Sequence, residues 1–203
     1  MWNGFECETF EFKSRIGTIV KPSSKPNGRI LLKTEYLDAF PDFDIAMLKR
    51  GYHLIHITHF SRWAPDEEIH IMAEYVKYCV DKLGFNKACI LEGLSCGGAQ
   101  AVRFASIYPE LVSVLYLDAP VMNILSMAGL GTCNLVPVHW EEIQKTFDVN
   151  KSTIVNFRKS PIDNMEPLIE NKIPVIMLYG DADEVVIYEE NGKNLEDFYN
   201  EQL

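Results

Sequence analysis

Apolar positions in the first third of the chain fall in short runs that are separated by clusters of turn-forming residues. This spacing predicts β-strands over residues 7–12, 15–20 and 29–35. The segment KPSSKPNG, residues 21–28, lies between the last two runs and is rich in proline, serine and glycine. Such a composition is typical of a turn, so we expect an antiparallel hairpin near the start of the chain.

After residue 40 the pattern changes, and apolar runs alternate with segments whose apolar positions recur at helical spacing. The predicted helices cover residues 42–50, 66–83, 97–108 and 188–201, and the predicted strands cover residues 52–58, 87–92, 113–117 and 174–179. Strands that alternate with helices form a mostly parallel sheet with helices on both faces. The sequence therefore predicts an α/β fold.

Residues 121–172 interrupt this alternation. They show no strand pattern and contain residues that break regular structure, among them Gly129, Gly131 and Pro137. We expect them to form short helices over one edge of the sheet, as a small cap. A chain of 203 residues is long enough to bury a substantial core, so residues 1–203 are expected to form a single domain.

Composition narrows the class of protein and of partner. Apolar residues make up 47% and charged residues 24% of the chain, which is typical of a globular protein. Because 29 acidic residues oppose 19 basic ones, the formal net charge is −10, which argues against nucleic acid and against an anionic membrane as partners. No apolar run reaches the roughly 18 to 20 residues that span a bilayer.

The five cysteines, at positions 7, 79, 89, 96 and 133, match no zinc-binding or disulfide spacing. An odd number of cysteines, several of them inside apolar runs, favours buried free thiols in a reducing, cytoplasmic compartment. The first 12 residues contain no basic segment followed by an apolar one, so they do not resemble a signal peptide. Nothing in the sequence implies a metal or an organic cofactor.

One motif points to chemistry. Gly93-Leu94-Ser95-Cys96-Gly97 lies between a predicted strand and a predicted helix, where a G-x-S-x-G sequence places its serine on a sharp, strained turn. The free N–H groups at the start of the following helix favour a developing negative charge. We therefore predict Ser95 as the nucleophile and the N–H of Cys96 as an oxyanion donor. A less favoured alternative makes Cys96 itself the nucleophile.

A serine nucleophile needs a base, and the base usually needs a carboxylate to orient it. The predicted strand 174–179 is followed by Gly180-Asp181-Ala182-Asp183, so carboxylates follow the carboxyl end of a parallel strand, where such sheets build their sites. Asp183 is the predicted acid. Asp181 is nearer the strand and is expected to bond the backbone of the turn. Asp118, which follows the strand 113–117, is the alternative acid.

Together these features resemble the α/β-hydrolase superfamily, and the resemblance covers nearly the whole chain. It rests on the early hairpin, the segments ILLKTEY and GYHLIHI, the turn GLSCGG, the segment YLDAP and the stretch SPIDNMEPLIENKIPVIMLYGDADEVV. The last stretch looks like the prolyl-oligopeptidase and dienelactone-hydrolase type of esterase, in which Gly-x-x-Asp-x-x-Val holds the acid. The resemblance implies an α/β-hydrolase fold with Ser95 as nucleophile and Asp183, between Gly180 and Val186, as acid.

The resemblance implies two further parts of the site. A second oxyanion donor comes from the loop after the third strand, which often reads His-Gly; here it reads KTEYL, and the N–H of Tyr36 is the predicted donor. The catalytic histidine of the family follows the acid, but no histidine follows Asp183 in this sequence. His59, just past the strand 52–58, and His139, in the cap, are candidate substitutes. We expect instead that the sequence stops before the family's last strand and its histidine.

The end of the sequence supports that expectation. The strand 174–179 is apolar throughout, as interior strands are, but no later segment is predicted to pair with it. The last helix lacks a glycine or a basic final turn that would end it. A protein of this sequence is therefore expected to turn over little substrate and to self-associate through the exposed edge of residues 174–179.

The sequence thus predicts a serine hydrolase that cleaves a carboxylic ester of a small-molecule acyl substrate. Two alternatives stay open. One is a non-catalytic binding protein with the α/β-hydrolase fold, and the other is a peptidase of the same fold. The residues that would line an acyl pocket are expected in the 121–172 segment, so the identity of the substrate does not follow from the motif.

Overall fold

The computed structural model of the chain describes residues 1–132 and 135–202, and the predicted free thiol Cys133 lies outside them. Within the described residues the remaining cysteines are free thiols, and Cys79, Cys89 and Cys96 are buried. No helix in these residues is both long and apolar enough to cross a membrane.

The described residues build one sheet of seven strands in the order β1-β2-β4-β3-β5-β6-β7. The strands are β1 (Cys7–Phe12), β2 (Arg15–Val20), β3 (Ile30–Lys33), β4 (His53–Ile57), β5 (Cys89–Leu94), β6 (Val112–Asp118) and β7 (Val175–Leu178). β2 pairs antiparallel with β1 and with β4, whereas all the later pairings are parallel. The predicted α/β class and the mostly parallel sheet are confirmed.

The early hairpin forms at a different turn from the predicted one. It joins β1 to β2 through Lys13 and Ser14, whose φ angles of 50° and 62° are those of a tight hairpin turn. β2 and β3 are not neighbours, because β4 lies between them. The turn-rich segment 21–28 is therefore a connection between non-adjacent strands, and a turn composition alone did not distinguish the two cases.

Helices connect the strands and cover the sheet. The helices in the described residues are α1 (Asp42–Lys49), α2 (Asp66–Leu83), α3 (Cys96–Ile107), α4 (Pro137–Phe147), α5 (Glu166–Glu170) and α6 (Gly192–Gln202). α2 has the predicted bounds and ends as predicted at Gly84, whose φ of 69° lets its N–H donate to the carbonyl of Val80 at 2.8 Å.

Two elements differ from their predicted bounds near the candidate site. β5 extends to Leu94, because Gly93 and Leu94 still pair with β6. The last helix begins at Gly192 instead of residue 188, since Tyr188–Glu190 is a separate 3-10 turn. Asn191 lies between the 3-10 turn and the helix; it is buried and its backbone is not helical. Its Oδ1 accepts hydrogen bonds from the N–H groups of Met122 (2.9 Å) and Asn123 (3.0 Å). A tertiary contact thus breaks the predicted helix.

The two faces of the sheet are covered to different extents. α2, α3 and α6 pack in one large apolar cluster, and α1 packs in a smaller cluster with residues near the N-terminus. Between β6 and β7 the described residues form no strand; they contain a π-helical turn (Ser126–Leu130), α4, 3-10 turns at Ile154–Asn156 and Pro161–Asp163, and α5. Helices on both faces leave the carboxyl ends of the parallel strands as the place for a site.

Candidate active site

The turn between β5 and α3 holds Ser95 in a strained conformation. Its φ of 51° and ψ of −119° are unfavourable for a residue with a side chain. The surrounding backbone fixes this conformation: the Ser95 N–H donates to the carbonyl of Asp118 at 3.0 Å, and the Ser95 carbonyl accepts from Gly98 and Val121, both at 2.9 Å. Strain that is held by bonds to two other segments is typical of a functional position.

The glycines around Ser95 are required by close packing. A Cβ atom at Gly93 would lie 2.6 Å from the Gly97 carbonyl oxygen, and one at Gly98 would lie 2.4 Å from Cβ of Pro120. Neither position therefore accepts a side chain without a shift of backbone. The second glycine of the motif, Gly97, is also confined, because its Cβ would lie 2.9 Å from Thr34 Oγ1. The motif thus lies in a closely packed turn between β5 and α3 and is not a chance match in a loop.

Two backbone N–H groups are available beside Ser95. Cys96 is the first residue of α3, so its N–H has no partner inside the helix. Tyr36, in the loop after β3, has a φ of 55°. In the part of the chain that the structure describes, neither N–H donates a hydrogen bond. These are the two predicted oxyanion donors, and their role in binding an oxyanion stays a prediction.

The loop that carries Tyr36 is bonded directly to the nucleophile turn. Thr34 donates its N–H to the Glu92 carbonyl at 3.0 Å, and its Oγ1 lies 3.0 Å from the same carbonyl and 2.7 Å from that of Gly97. The next residue of the loop, Glu35, accepts a hydrogen bond at 2.9 Å from the side-chain amide of Gln100 in α3. The loop after β3 and the start of α3 therefore form one rigid unit.

The side chains next to Ser95 are kept uncharged or paired. Burial raises the pKa of the Cys96 thiol, so this cysteine stays protonated at neutral pH and is a poor nucleophile. Burial also raises the pKa of Tyr36 to about 12. Arg62, in the loop after β4, interacts with both residues and pairs with Glu142 of α4 at 2.8 Å. These properties favour Ser95 over Cys96 as the reacting group.

Asp183 lies in the loop that follows β7. Its Oδ1 accepts hydrogen bonds from the N–H groups of Val185 (2.8 Å) and Val186 (2.9 Å), which leaves Oδ2 without a hydrogen bond in the described residues. The prediction that Asp181 bonds the backbone of this turn is wrong, because Asp183 makes those bonds and Asp181 is exposed. One oxygen of Asp183 thus fixes the carboxylate, and the other is free to orient a base.

The strand register brings Ser95 and Asp183 to one end of the sheet. Leu94, next to Ser95, is paired with Asp118, and Asp118 is paired with Leu178 at the end of β7. The two strand ends are separated by two strand spacings, about 10 Å. Asp118, the alternative acid, lies between them and is partly buried, and its backbone carbonyl holds Ser95.

The two candidate substitute bases have different surroundings. Both ring nitrogens of His59 are engaged: Nε2 lies 2.9 Å from the Thr34 carbonyl, and Nδ1 lies 3.4 Å from Glu68. His139 packs edge-on against Trp63, and its buried Nδ1 has no hydrogen-bond partner in the described residues. Burial lowers the pKa of His139, which keeps this imidazole neutral at neutral pH. His139 is therefore the freer of the two.

A cavity of about 610 Å³ lies beside the loop after β3. Its walls come from that loop, the loop after β4 and helices α2 and α4. They are lined by Glu35, His59, Phe60, Ser61, Arg62, Trp63, Pro65, Glu67, Glu68, Glu142, Lys145 and Thr146. Most of these residues are polar or charged. No group of three or more histidine, cysteine or acidic side chains in residues 1–132 and 135–202 is arranged to hold a metal ion.

The sequence predictions missed several residues of this region. Lys33 is the last residue of β3 and Glu92 lies within β5, and both are buried together with Asp44 of α1. Arg62 joins the loop after β4 to the residues beside Ser95. A signal existed for the first two, because each is a charged residue inside an otherwise apolar strand.

Three solved structures that resemble this chain are hydrolases, one of them a peptidase. The chain superposes over 97% of its length on 31% of a dipeptidyl aminopeptidase IV from Bacteroides ovatus, with a TM-score of 0.68 and 14% identity. A second similar structure is MGS-MChE2, an α/β hydrolase enzyme from the metagenome of sediments of the Mar Chica lagoon in Morocco. The superposition includes 94% of this chain and 82% of MGS-MChE2, with a TM-score of 0.54 and 20% identity. The chain covers 33% of a mutant puromycin hydrolase in complex with PGG, over 95% of its own length, with a TM-score of 0.71 and 15% identity.

The chain therefore has the α/β-hydrolase fold, as the sequence resemblance implied. It spans about a third of the length of the first and third of these proteins. At these identities the likeness shows the fold alone. No protein-family profile and no curated protein matches the chain.

Proposed function

We propose that this protein is a serine hydrolase that cleaves a carboxylic ester of a small acyl substrate, with Ser95 as the nucleophile. The observation that carries the proposal is the conformation of Ser95. It lies on a turn with a φ of 51°, at the N-terminus of α3, beside two N–H groups with no partner in the described residues. A strained serine in this position is exposed for attack and adjacent to donors that stabilise an oxyanion.

The reaction follows from these positions. Ser95 Oγ loses its proton to a base and attacks the acyl carbon, and the carbonyl oxygen becomes an oxyanion that the N–H groups of Cys96 and Tyr36 bind. Collapse of this intermediate expels the alcohol, which takes the proton from the base. Water then attacks the acyl-enzyme in the same way and releases the carboxylic acid. Asp183 orients the base through its free Oδ2.

The base is the part of the site that the proposal leaves to experiment. His139 is a candidate base because its lowered pKa keeps it neutral and its Nδ1 has no hydrogen-bond partner in the described residues. His59 is disfavoured, since its ring nitrogens contact Thr34 and Glu68. A third source is a histidine outside residues 1–203, in the place that the resemblance implies.

Labelling with a fluorophosphonate probe tests the nucleophile most directly. We expect the wild-type chain and Cys96→Ser to be labelled at similar rates and Ser95→Ala to remain unlabelled. Cys96→Ser is the matched control, because it changes the neighbouring nucleophile and leaves the turn intact. Equal labelling of wild type and Ser95→Ala would remove Ser95 from the mechanism.

The same assay assigns the base. Loss of labelling in His139→Ala, with labelling retained in His59→Ala, identifies the cap histidine as the base. Labelling that survives in both variants shows that neither histidine is the base. If residues 1–203 are not labelled but a chain extended at its carboxyl end is, the base is a group beyond residue 203. If neither chain is labelled, the non-catalytic alternative, a binding protein with this fold, is favoured.

A peptidase of the same fold is the second candidate, and the similarity to a dipeptidyl aminopeptidase IV favours it. Ester and peptide cleavage use the same nucleophile, oxyanion donors and acid, so the site geometry does not separate them. Hydrolysis rates of matched p-nitrophenyl ester and p-nitroanilide substrates do. We expect ester cleavage to be faster, and a faster anilide reaction would support the peptidase.

A further inference from the structure

Three ionisable side chains are buried together beneath the candidate site. Lys33 of β3 and Asp44 of α1 are 0% exposed, and Glu92 of β5 is 1% exposed. The Lys33 Nζ lies 2.6 Å from Asp44 Oδ2 and 3.5 Å from Glu92 Oε1. Burial of charge is costly, and a buried ion pair seldom stabilises a fold more than apolar side chains of the same size do. This cluster therefore calls for a role other than stability.

Lys33 is connected to the turn that carries Tyr36. Its Nζ donates to the carbonyl of Ala39 at 2.8 Å, and the N–H of Ala39 donates to the carbonyl of Tyr36 at 2.9 Å. The ammonium group thus closes the loop from residue 33 to residue 39 from below. Tyr36 has a left-handed conformation, with a φ of 55°, that a side chain disfavours, so this loop needs such external support.

Glu92 is connected in the same way to the turn that carries Ser95. It is three residues before Ser95 on β5, and it is the register partner of Lys33 on β3. Its backbone carbonyl accepts the Thr34 N–H at 3.0 Å, and the Thr34 Oγ1, which lies 2.7 Å from the Gly97 carbonyl, is 3.0 Å from the same Glu92 oxygen. The cluster therefore lies where the supports of the nucleophile turn and of the Tyr36 loop meet.

The charges in the cluster balance only if one carboxyl group is neutral. Burial, together with the adjacent Asp44 carboxylate, raises the pKa of Glu92 well above its ordinary range. The groups that face Glu92 are Lys33 from β3, Asp44 from α1 and Tyr116, its register partner on β6. At neutral pH the cluster is then a Lys33–Asp44 ion pair with an uncharged Glu92 beside it.

We propose that Lys33, Asp44 and Glu92 form a positioning unit that holds the Tyr36 N–H in the place where the oxyanion on a substrate of Ser95 develops. The unit does not touch the substrate; it acts through the loop 33–39 and through the turn after β5. This inference rests on the proposed function of Ser95. The inference adds three buried residues to the proposed site. Their substitution is expected to impair the oxyanion site although no reacting group is removed.

The test compares variants that differ in what they remove. Lys33→Met combined with Asp44→Asn removes the ion pair without leaving a buried charge unpaired, so it keeps the fold. Glu92→Gln keeps an uncharged polar side chain of the same shape at this position, whereas Glu92→Met removes the polar group. Tyr75→Phe is the matched control for a lost buried hydrogen bond, because its hydroxyl donates to the Thr18 carbonyl at 2.8 Å on the other face of the sheet.

Two readouts are measured on each variant: the rate of fluorophosphonate labelling at saturating and subsaturating probe, and the hydrogen exchange of the peptide 33–41. In the double variant we expect labelling to slow by about 10-fold or more through the maximal rate, because the oxyanion donor is misplaced. We expect exchange of the peptide 33–41 to accelerate in the same variant. Glu92→Gln should label within about 3-fold of wild type, and Glu92→Met should behave like the double variant.

A pH profile distinguishes this role from a merely structural one. The pKa of Glu92 is raised in the folded protein, so its neutral form contributes to the stability of the fold. This contribution is complete at a pH below the ordinary pKa of a glutamate and is lost as the pH rises through the raised pKa. Ionised Glu92 then faces ionised Asp44 beneath the turn. We therefore expect labelling of wild type to fall at alkaline pH relative to Glu92→Gln, in which this position cannot ionise.

Each outcome decides the proposal. If the double variant labels and exchanges as Tyr75→Phe does, or if Glu92→Gln has the wild-type alkaline profile, the positioning unit is overturned. If neither the wild-type chain nor a chain extended at its carboxyl end is labelled, the proposed hydrolase function fails, and the exchange measurement alone decides the cluster. Faster exchange confined to the peptide 33–41 then supports the link to the Tyr36 loop, and unchanged exchange overturns it.

Discussion

The nucleophile turn and the acid loop lie at the same end of the sheet, but the fold supports them in different ways. Ser95 is hydrogen-bonded to Asp118 at the end of β6 and to Val121 in the segment that follows β6. The adjoining Tyr36 loop is hydrogen-bonded to β5 and α3. All these bonds join parts of the chain that are distant in sequence. The nucleophile turn is therefore formed only when several elements are already in place.

The hydrogen bonds of Asp183 in the acid loop are only local, although Val186 packs in the large apolar cluster. Asp183 bonds two N–H groups within three residues of itself, and its neighbours Asp181, Ala182 and Glu184 are exposed. No hydrogen bond in the described residues joins Asp183 to another element. The difference follows from the chemistry: an oxyanion site needs donors placed to within a fraction of an ångström, whereas an acid only has to orient a base.

Glycine substitutions give the largest expected contrast between the two regions. Gly93→Ala places a Cβ 2.6 Å from the Gly97 carbonyl oxygen and 2.8 Å from the Gly98 Cα, and neither backbone atom can move freely. We expect the free energy of unfolding to fall by about 3 kcal/mol or more, and labelling of Ser95 to be lost. Chemical denaturation measures the first effect and the fluorophosphonate assay the second.

Gly180→Ala is the matched control in the acid loop. A Cβ there would lie 3.9 Å from its nearest neighbour, so we expect a change within about 0.5 kcal/mol. Similar losses of stability in the two variants would contradict the idea that only the nucleophile turn depends on close packing between elements.

Substitution of the acid is expected to separate activity from stability. Asp183→Asn keeps the Oδ1 acceptor for Val185 and Val186 but removes the charge that orients the base. We expect the labelling rate to fall by about 100-fold or more, while the midpoint of unfolding stays unchanged. Asp181→Asn should label like wild type. A large loss in Asp118→Asn instead would identify Asp118 as the acid.

The Thr34 hydroxyl is expected to have an intermediate effect, on stability and on rate together. Thr34→Val keeps the shape of the side chain but leaves the Gly97 carbonyl without its 2.7 Å contact to Oγ1. We expect a loss of about 1 to 2 kcal/mol in the free energy of unfolding and slower labelling. Thr34→Ser keeps the hydroxyl and should restore the rate, and slow labelling in both variants would show that the methyl group, not the hydrogen bond, matters.

The contrast between the regions also explains what the sequence predicted well. The order of strands and helices, and the turn that holds Ser95, follow from local patterns: apolar periodicity, turn glycines and a short motif. The helix 66–83 and the strands 7–12 and 15–20 have their predicted bounds for this reason. Local signals determine local structure when tertiary contacts do not override them.

Other features depend on contacts between distant residues and were not predictable in this way. The break at Asn191 arises because its side chain bonds Met122 and Asn123, which are about 70 positions away along the chain. Likewise the left-handed turn at Tyr36 has no glycine to announce it, and its supports come from Lys33, Thr34 and Gln100. Periodicity carries no information about which distant side chain supplies a hydrogen bond.

The smallest expected effect on stability concerns β7, which pairs only with β6 among the described strands. Ile176 is 54% exposed on this edge strand, whereas Ile16 is 49% exposed on β2, which is paired on both sides. Both Ile176→Lys and Ile16→Lys should change the free energy of unfolding by less than about 0.5 kcal/mol. An unpaired apolar edge invites strand pairing, so we expect wild type to self-associate with rising concentration and only Ile176→Lys to suppress it. Sedimentation velocity of wild type and both variants measures this association. Equal suppression by the two variants would show that exposed apolar area, and not the free edge of β7, drives association. A wild type that stays monomeric would refute self-association.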